Sequence, residues 1–124
     1  MKRKTILVVD DDKSTRTLLN CMLNKQFDVT TRKDGMEGMV WLDFGNLPDL
    51  ILMDIDMPHF NGFDFLDNLR KSGFYRSIPV VALSGTDKLG EVDRFFKLGG
   101  NAFLKKPFNP SELFSTLNKH IALN

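Results

Sequence analysis

Ile6-Leu7-Val8-Val9 runs directly into Asp10-Asp11-Asp12, an apolar stretch that ends in three carboxylates. An apolar run of this length closed by turn-forming residues reads as a strand buried on both faces, the kind found in parallel sheets. The pattern returns at Leu50-Ile51-Leu52-Met53-Asp54, with Asp56 two residues further on. Both acidic groups therefore emerge at strand C-terminal ends, the edge where open parallel sheets bind ligands. Carboxylates gathered there repel one another, and a hard divalent cation with oxygen ligands, typically magnesium, relieves that repulsion. The expectation is a metal-holding site that handles phosphate.

On either side of these runs, strand-like and helix-like patterns alternate. Thr5 to Val9 reads as a first strand, and Leu18, Leu19, Met22 and Leu23 predict a helix from Ser14 to about Lys25. Phe27-Asp28-Val29-Thr30-Thr31 alternates in polarity as an edge strand does. Asp34-Gly35 marks a turn, after which Met36, Met39, Val40 and Phe44 form a second helical stripe. Leu50 to Met53 is a central strand; Asn61-Gly62 then precedes a third helix carried by Phe63, Leu66 and Leu69. Ile78-Pro79-Val80-Val81-Ala82-Leu83 is a fourth strand, with Pro79 tolerated only near its beginning. Leu89, Val92, Phe95 and Phe96 mark a fourth helix, weakened by Gly90 and stopped by Gly99-Gly100. Ala102-Phe103-Leu104 is a short fifth strand. The last helix starts with Asn109 as cap, Pro110 at its first position and Glu112 placed to bond back to the cap. Leu113, Phe114, Leu117 and Ile121 give its buried face. Five strands alternating with five helices predict an α/β fold, a doubly wound parallel sheet with right-handed crossovers. Periodicity leaves the strand order open.

The 124 residues fit one domain, large enough to bury a real core. The formal charge is +1, from 17 basic and 16 acidic residues, and the only basic cluster is Lys2-Arg3-Lys4, so no nucleic-acid partner is expected. Cys21 is the single cysteine, which excludes an internal disulfide and suits a reducing compartment, the cytoplasm by default. The apolar stretch after the basic start is too short for a secretory signal, and no run approaches a membrane span.

The chemistry rests on four strand ends. Asp12 lies nearest the first helix and reads as its cap, whereas Asp10 and Asp11 read as metal ligands, direct or through water, completed by Asp54. A loop through Met57-Pro58 and Asn61-Gly62 follows Asp54 and leaves its carboxylate open beside the metal. Such a carboxylate is either a turn residue or a nucleophile toward phosphorus that forms an aspartyl phosphate. Ser84, with Gly85 and Thr86, supplies hydroxyl donors, Thr86 fitting a helix cap better than Ser84 does. One lysine of Lys105-Lys106-Pro107-Phe108 offers a cation for a phosphoryl group. His59 and His120 are too scattered for a metal site. Cys21 reads as a small buried hydrophobe, and Trp41 and the eleven phenylalanines as core or partner-facing surface.

Val8-Val9-Asp10-Asp11, then Met53-Asp54-Ile55-Asp56-Met57-Pro58 with Gly62, then Leu83-Ser84-Gly85, then Lys106-Pro107-Phe108 occur in this order. Over its whole length the chain resembles the receiver domain of two-component response regulators. The resemblance implies one receiver domain over residues 1–124, folded as a flavodoxin-like (βα)5 sandwich with sheet order 2-1-3-4-5. It implies that Asp54 accepts a phosphoryl group from a histidine kinase or a histidine phosphotransfer protein, catalysing no chemistry beyond its own phosphotransfer and dephosphorylation. Asp10, Asp11, Asp54 and the backbone carbonyl of Asp56 would hold Mg²⁺. Lys106 would contact the phosphoryl group, leaving Lys105 solvated, and the Lys106–Pro107 bond is a candidate cis peptide. Ser84 would swing toward the phosphoryl oxygens and Phe103 follow inward, switching an output face made by the fourth helix, fifth strand and fifth helix.

Several positions depart from the common pattern. Phe103 stands where tyrosine is frequent and forgoes a hydroxyl contact; Asp56 adds a negative charge where a hydrolytic water would approach; and Gly90 with Gly99-Gly100 is expected to loosen the output face. Two rival families share part of this pattern. Asp54-Ile55-Asp56 imitates the nucleophile motif of haloacid dehalogenase phosphatases, but that motif usually opens a larger, capped fold. A pseudo-receiver would lack the acceptor, the acid pair or the lysine, and none is missing.

Overall fold

The computed structural model describes residues 3–57, 61–85 and 89–121. Pro58, His59 and Thr86 lie outside this set, as does the side chain of Leu89. Strands and helices alternate from end to end: β1 (Thr5–Val9), α1 (Lys13–Leu23), β2 (Asp28–Arg32), α2 (Gly35–Asp43), β3 (Leu50–Asp54), α3 (Gly62–Lys71), β4 (Val80–Ser84), α4 (Leu89–Lys97), β5 (Ala102–Lys105) and α5 (Pro110–Ile121). All five strands are parallel in the order β2-β1-β3-β4-β5, the order the resemblance implied.

The apolar runs make a sheet covered on both sides because successive side chains of a strand face opposite ways. Ile6, Val8, Leu50, Leu52, Val81 and Leu83 pack with Leu19 and Leu23 of α1 and Leu113, Leu117 and Ile121 of α5. The alternate residues Leu7, Val9, Ile51, Met53, Val80 and Ala82 pack with Leu42 of α2, Phe65, Leu66 and Leu69 of α3, and Phe95 of α4. Every residue of β3 and β4 is buried, whereas the edge strand β2 is only partly covered.

Helix starts follow capping chemistry. Asp12 accepts from the Thr15 N–H at 3.1 Å and from the Thr15 hydroxyl at 2.6 Å, as its position predicted. Asp34 and Asn61 cap α2 and α3 in the same way. Asn109 accepts from the Ser111 N–H at 2.8 Å and the Glu112 N–H at 3.4 Å. The exposed Glu112 carboxylate, however, makes no return bond among the described residues.

Three expectations about helix faces are corrected. The α2 stripe Met36, Val40 and Phe44 points outward, with Phe44 83% exposed, because the helix meets the sheet through Gly35, Gly38 and Leu42. A Cβ at Gly38 would sit 3.2 Å from the Phe65 ring and 3.4 Å from Val9, so this close backbone approach selects the glycine face and leaves the bulky one free. Cys21 is exposed rather than buried, since α1 turns Leu19 and Leu23 inward and leaves Leu18 and Cys21 outside. On α4 the buried residue is Phe95, while Phe96 is exposed.

The α4–β5 turn is held by Arg70 of α3. Its guanidinium donates to the Gly99 carbonyl at 3.0 Å, the Ile78 carbonyl at 2.8 Å and the Asn101 side-chain oxygen at 3.0 Å. Gly99 has φ +103°, a backbone region that favours glycine, and a Cβ on Gly100 would lie 2.1 Å from the Phe95 ring. This glycine pair is therefore required by packing.

Candidate functional site

Strand register assembles the site. Val9 lies beside Met53, Asp54 beside Leu83, and Ser84 beside Lys105, so the residues at or just after four strand ends share one edge of the sheet. Asp10, Asp54 and Ser84 are buried there, Lys106 is half-buried, and Asp11, Asp56 and Lys105 are exposed. Carboxylate oxygens of Asp10, Asp11 and Asp54 lie within 4.8 Å of one another, a spacing suited to one divalent cation. The all-oxygen donor set matches a hard ion such as magnesium.

The Lys106 ammonium reaches into this cluster, 3.1 Å from Asp10 Oδ2 and 3.7 Å from Asp54 Oδ2. Its backbone N–H donates to the Ser84 carbonyl at 2.7 Å, which ties the end of β5 to β4, and the Lys106–Pro107 bond is cis. Burial by itself would push the Lys106 ammonium down, but Asp54 and Asp10 outweigh it and hold its pKa above the ordinary lysine value. Burial pushes the Asp54 carboxyl up to about 6; the neighbouring Asp10 and Asp11 charges add to the rise, while Lys106 and the Asp56 N–H oppose it. A buried carboxylate crowded by acids and faced by one ammonium is poised to gain from an added cation.

Ser84 is fully buried, and its hydroxyl donates to Asp56 Oδ2 at 3.3 Å. The Asp56 N–H in turn donates to Asp54 Oδ1 at 3.2 Å. Phe103, half-buried on β5, packs edge-on against Phe95 with ring centroids 5.8 Å apart. Asp10, Asp11, Asp54, Asp56, Ser84 and Lys106 thus lie at this edge, and Phe103 lies further back on β5, in register with Ala82.

A family model described as "Response regulator receiver domain" matches residues 6–118. The chain belongs to that family. The receiver is 32% identical over 120 residues to the response regulator Rre1 of Synechocystis, an alignment covering 95% of this chain and 52% of that one. The chain therefore spans about half the length of that relative. Among solved structures, it is similar to the chemotaxis response regulator CheY4 of Vibrio cholerae, with TM-score 0.88 and 28% identity over 96% of this chain and 99% of that one. It is also similar to the receiver domain of a signal transduction histidine kinase from Syntrophus aciditrophicus, with TM-score 0.89 and 26% identity over 96% of this chain and 90% of that one. The chain is a receiver of the two-component signalling type, and no helix among the described residues is long and apolar enough to cross a membrane.

Sequence reasoning missed two side chains around the receiver's site. Arg16 donates to the Asp10 main-chain carbonyl at 2.7 Å and fixes the backbone that carries the acid pair. Its place in the second turn after Asp12 was the available signal. Arg94 of α4 lies over the Phe63 ring at 4.3 Å, and with Asp11 and Asp56 the two line a hollow of about 520 Å³ at the mouth of the site. No spacing in the sequence links α3 to α4 in this way.

Proposed function

We propose that Asp54 is the phosphoacceptor of a Mg²⁺-dependent receiver that spans residues 1–124 as one domain. The observation carrying this reading is the convergence of Asp10, Asp11 and Asp54 within 4.8 Å, with the Lys106 ammonium 3.1 Å from Asp10 and 3.7 Å from Asp54. Asp10, Asp11, Asp54 and the Asp56 carbonyl would hold the ion. When bound, magnesium would offset charge on the transferring phosphoryl oxygens. An Asp54 oxygen bonds to phosphorus as the donor's phosphorus–nitrogen bond breaks, and the electron pair leaves with the donor imidazole. Lys106 supplies a fixed cation to the phosphoryl oxygens, and Ser84 a hydroxyl donor once it leaves Asp56. Water later cleaves the acyl phosphate and regenerates Asp54. The donor is a histidine kinase or a histidine phosphotransfer protein. The target docks on the face made by α4, β5 and α5, where Phe103 touches Phe95 and couples the site to α4. The single cysteine suits a reducing, cytoplasmic setting, and the near-neutral charge offers no footprint for nucleic acid on this chain.

Intact-mass measurement after incubation with Mg²⁺ and acetyl phosphate tests this reading. Wild type is expected to gain one phosphoryl mass and Asp54→Asn none. Absence of label on wild type, under conditions that label another receiver, overturns it in favour of a pseudo-receiver.

A further inference from the structure

The outward face of α2 is apolar without being covered. Met36, Val40 and Phe44 recur every four residues and are 59%, 48% and 83% exposed. Together with the half-buried Trp41 they floor a groove of about 600 Å³ between α2 and the end of β2. Single exposed apolar residues are ordinary, but a contiguous stripe along one helix marks a contact surface. The groove's rim is basic: Arg16, Arg32 and Lys33 line it, with Glu37 as the one acid. Among the described residues Glu37 pairs only with Lys33, at 3.7 Å, while Arg16 and Arg32 donate to the main-chain carbonyls of Asp10 and Thr31. Both guanidiniums keep donors free for a carboxylate. The Arg32 guanidinium also stands 6.0 Å above the Trp41 ring, bringing charge and apolar floor together.

We propose that this groove docks an acidic amphipathic helix of a partner protein. Its apolar side rests on Met36, Val40 and Phe44, and its carboxylates meet Arg16, Arg32 and Lys33. A partner helix fits because the stripe has helical spacing and rises roughly 12 Å along α2, enough for two turns of an opposing helix. A second copy of this chain, applied through the same face, would bring the three basic side chains against their own equivalents, so the charge disfavours it.

Fluorescence anisotropy with a labelled helical peptide of about 18 residues tests the proposal, the peptide carrying leucines along one face and glutamates beside them. Trp41, the only tryptophan, reports from the protein side. Saturable binding is expected, weakening with salt, falling about tenfold with Phe44→Ser or Met36→Ser, and falling further with Arg32→Gln. These positions are surface-exposed or partly so, and unchanged circular dichroism of the variants checks that the fold survives. No binding by the glutamate peptide, or equal binding by a peptide with lysines in place of glutamates, overturns the proposal. Concentration-dependent dimerisation lost with Phe44→Ser, measured by sedimentation, also overturns it, assigning the face to a second copy instead.

Discussion

The acceptor role proposed for Asp54 carries two demands that pull against each other: the carboxylate must be buried enough to be shielded and charged enough to attack phosphorus. Its carboxyl titrates at about 6 in the fold, against 3.8 ordinarily. Between these values the folded chain binds the proton more tightly than the unfolded chain, so the stability from neutral Asp54 is full below about pH 4 and lost as pH rises through 6. Without metal, Asp54→Asn is therefore expected to stabilise the protein at pH 7.5, by on the order of 1–2 kcal/mol after allowance for solvent screening. Urea unfolding at pH 4.5 and 7.5 checks this; equal pH dependence in both proteins would contradict it. The Ser84 hydroxyl supplies a second residue-level prediction, because it donates to Asp56, whereas its proposed role would place it at the phosphoryl group. Asp56→Ala should tighten binding of beryllofluoride, a phosphoryl mimic, about fivefold in wild type and leave it unchanged in a Ser84→Ala background. An equal gain in both backgrounds would mean that Asp56 acts only through its charge. The acids and Lys106 were legible because each ends or follows an apolar run. The Ser84–Asp56 bond was not, since it spans a loop whose path no spacing encodes.

At the scale of elements, α5 and α2 show where sequence patterns suffice and where they fail. The apolar residues Leu113, Leu117 and Ile121 of α5 lie on one side only, so its buried face was readable in advance. In α2, apolar residues lie on two sides, and the decision went to the face where glycines let the backbone approach Phe65 and Val9. Periodicity weighs side chains by hydrophobicity and is blind to a contact made by having none. The turn after α4 repeats this lesson. Gly100→Ala would drive a methyl group into the Phe95 ring and is expected to cost about 2–3 kcal/mol, read as a lowered urea midpoint at unchanged slope. A cost near zero would show that the Phe95 ring can yield.

For the whole molecule, strand identity was local and readable, while strand order depends on pairing between distant segments and came only through the family resemblance. The site belongs to this scale, since its parts come from β1, β3, β4 and β5. Saturating Mg²⁺ should therefore stabilise the entire fold, by about 2.7 kcal/mol at a hundredfold excess over its Kd, or on the order of 10 °C in Tm. The shift should vanish when Asp10→Ala and Asp11→Ala are combined; a persisting shift would place the ion elsewhere. Arg70 adds a consequence for motion. By tying Gly99, Ile78 and Asn101 together it anchors the C-terminal end of α4, so that helix is a lever with its fulcrum far from the acids. Over nine residues, roughly 13 Å, a tilt of about 10° moves the free end roughly 2 Å. The throw is greatest at the start of α4, just downstream of Ser84, and smallest where Arg70 grips.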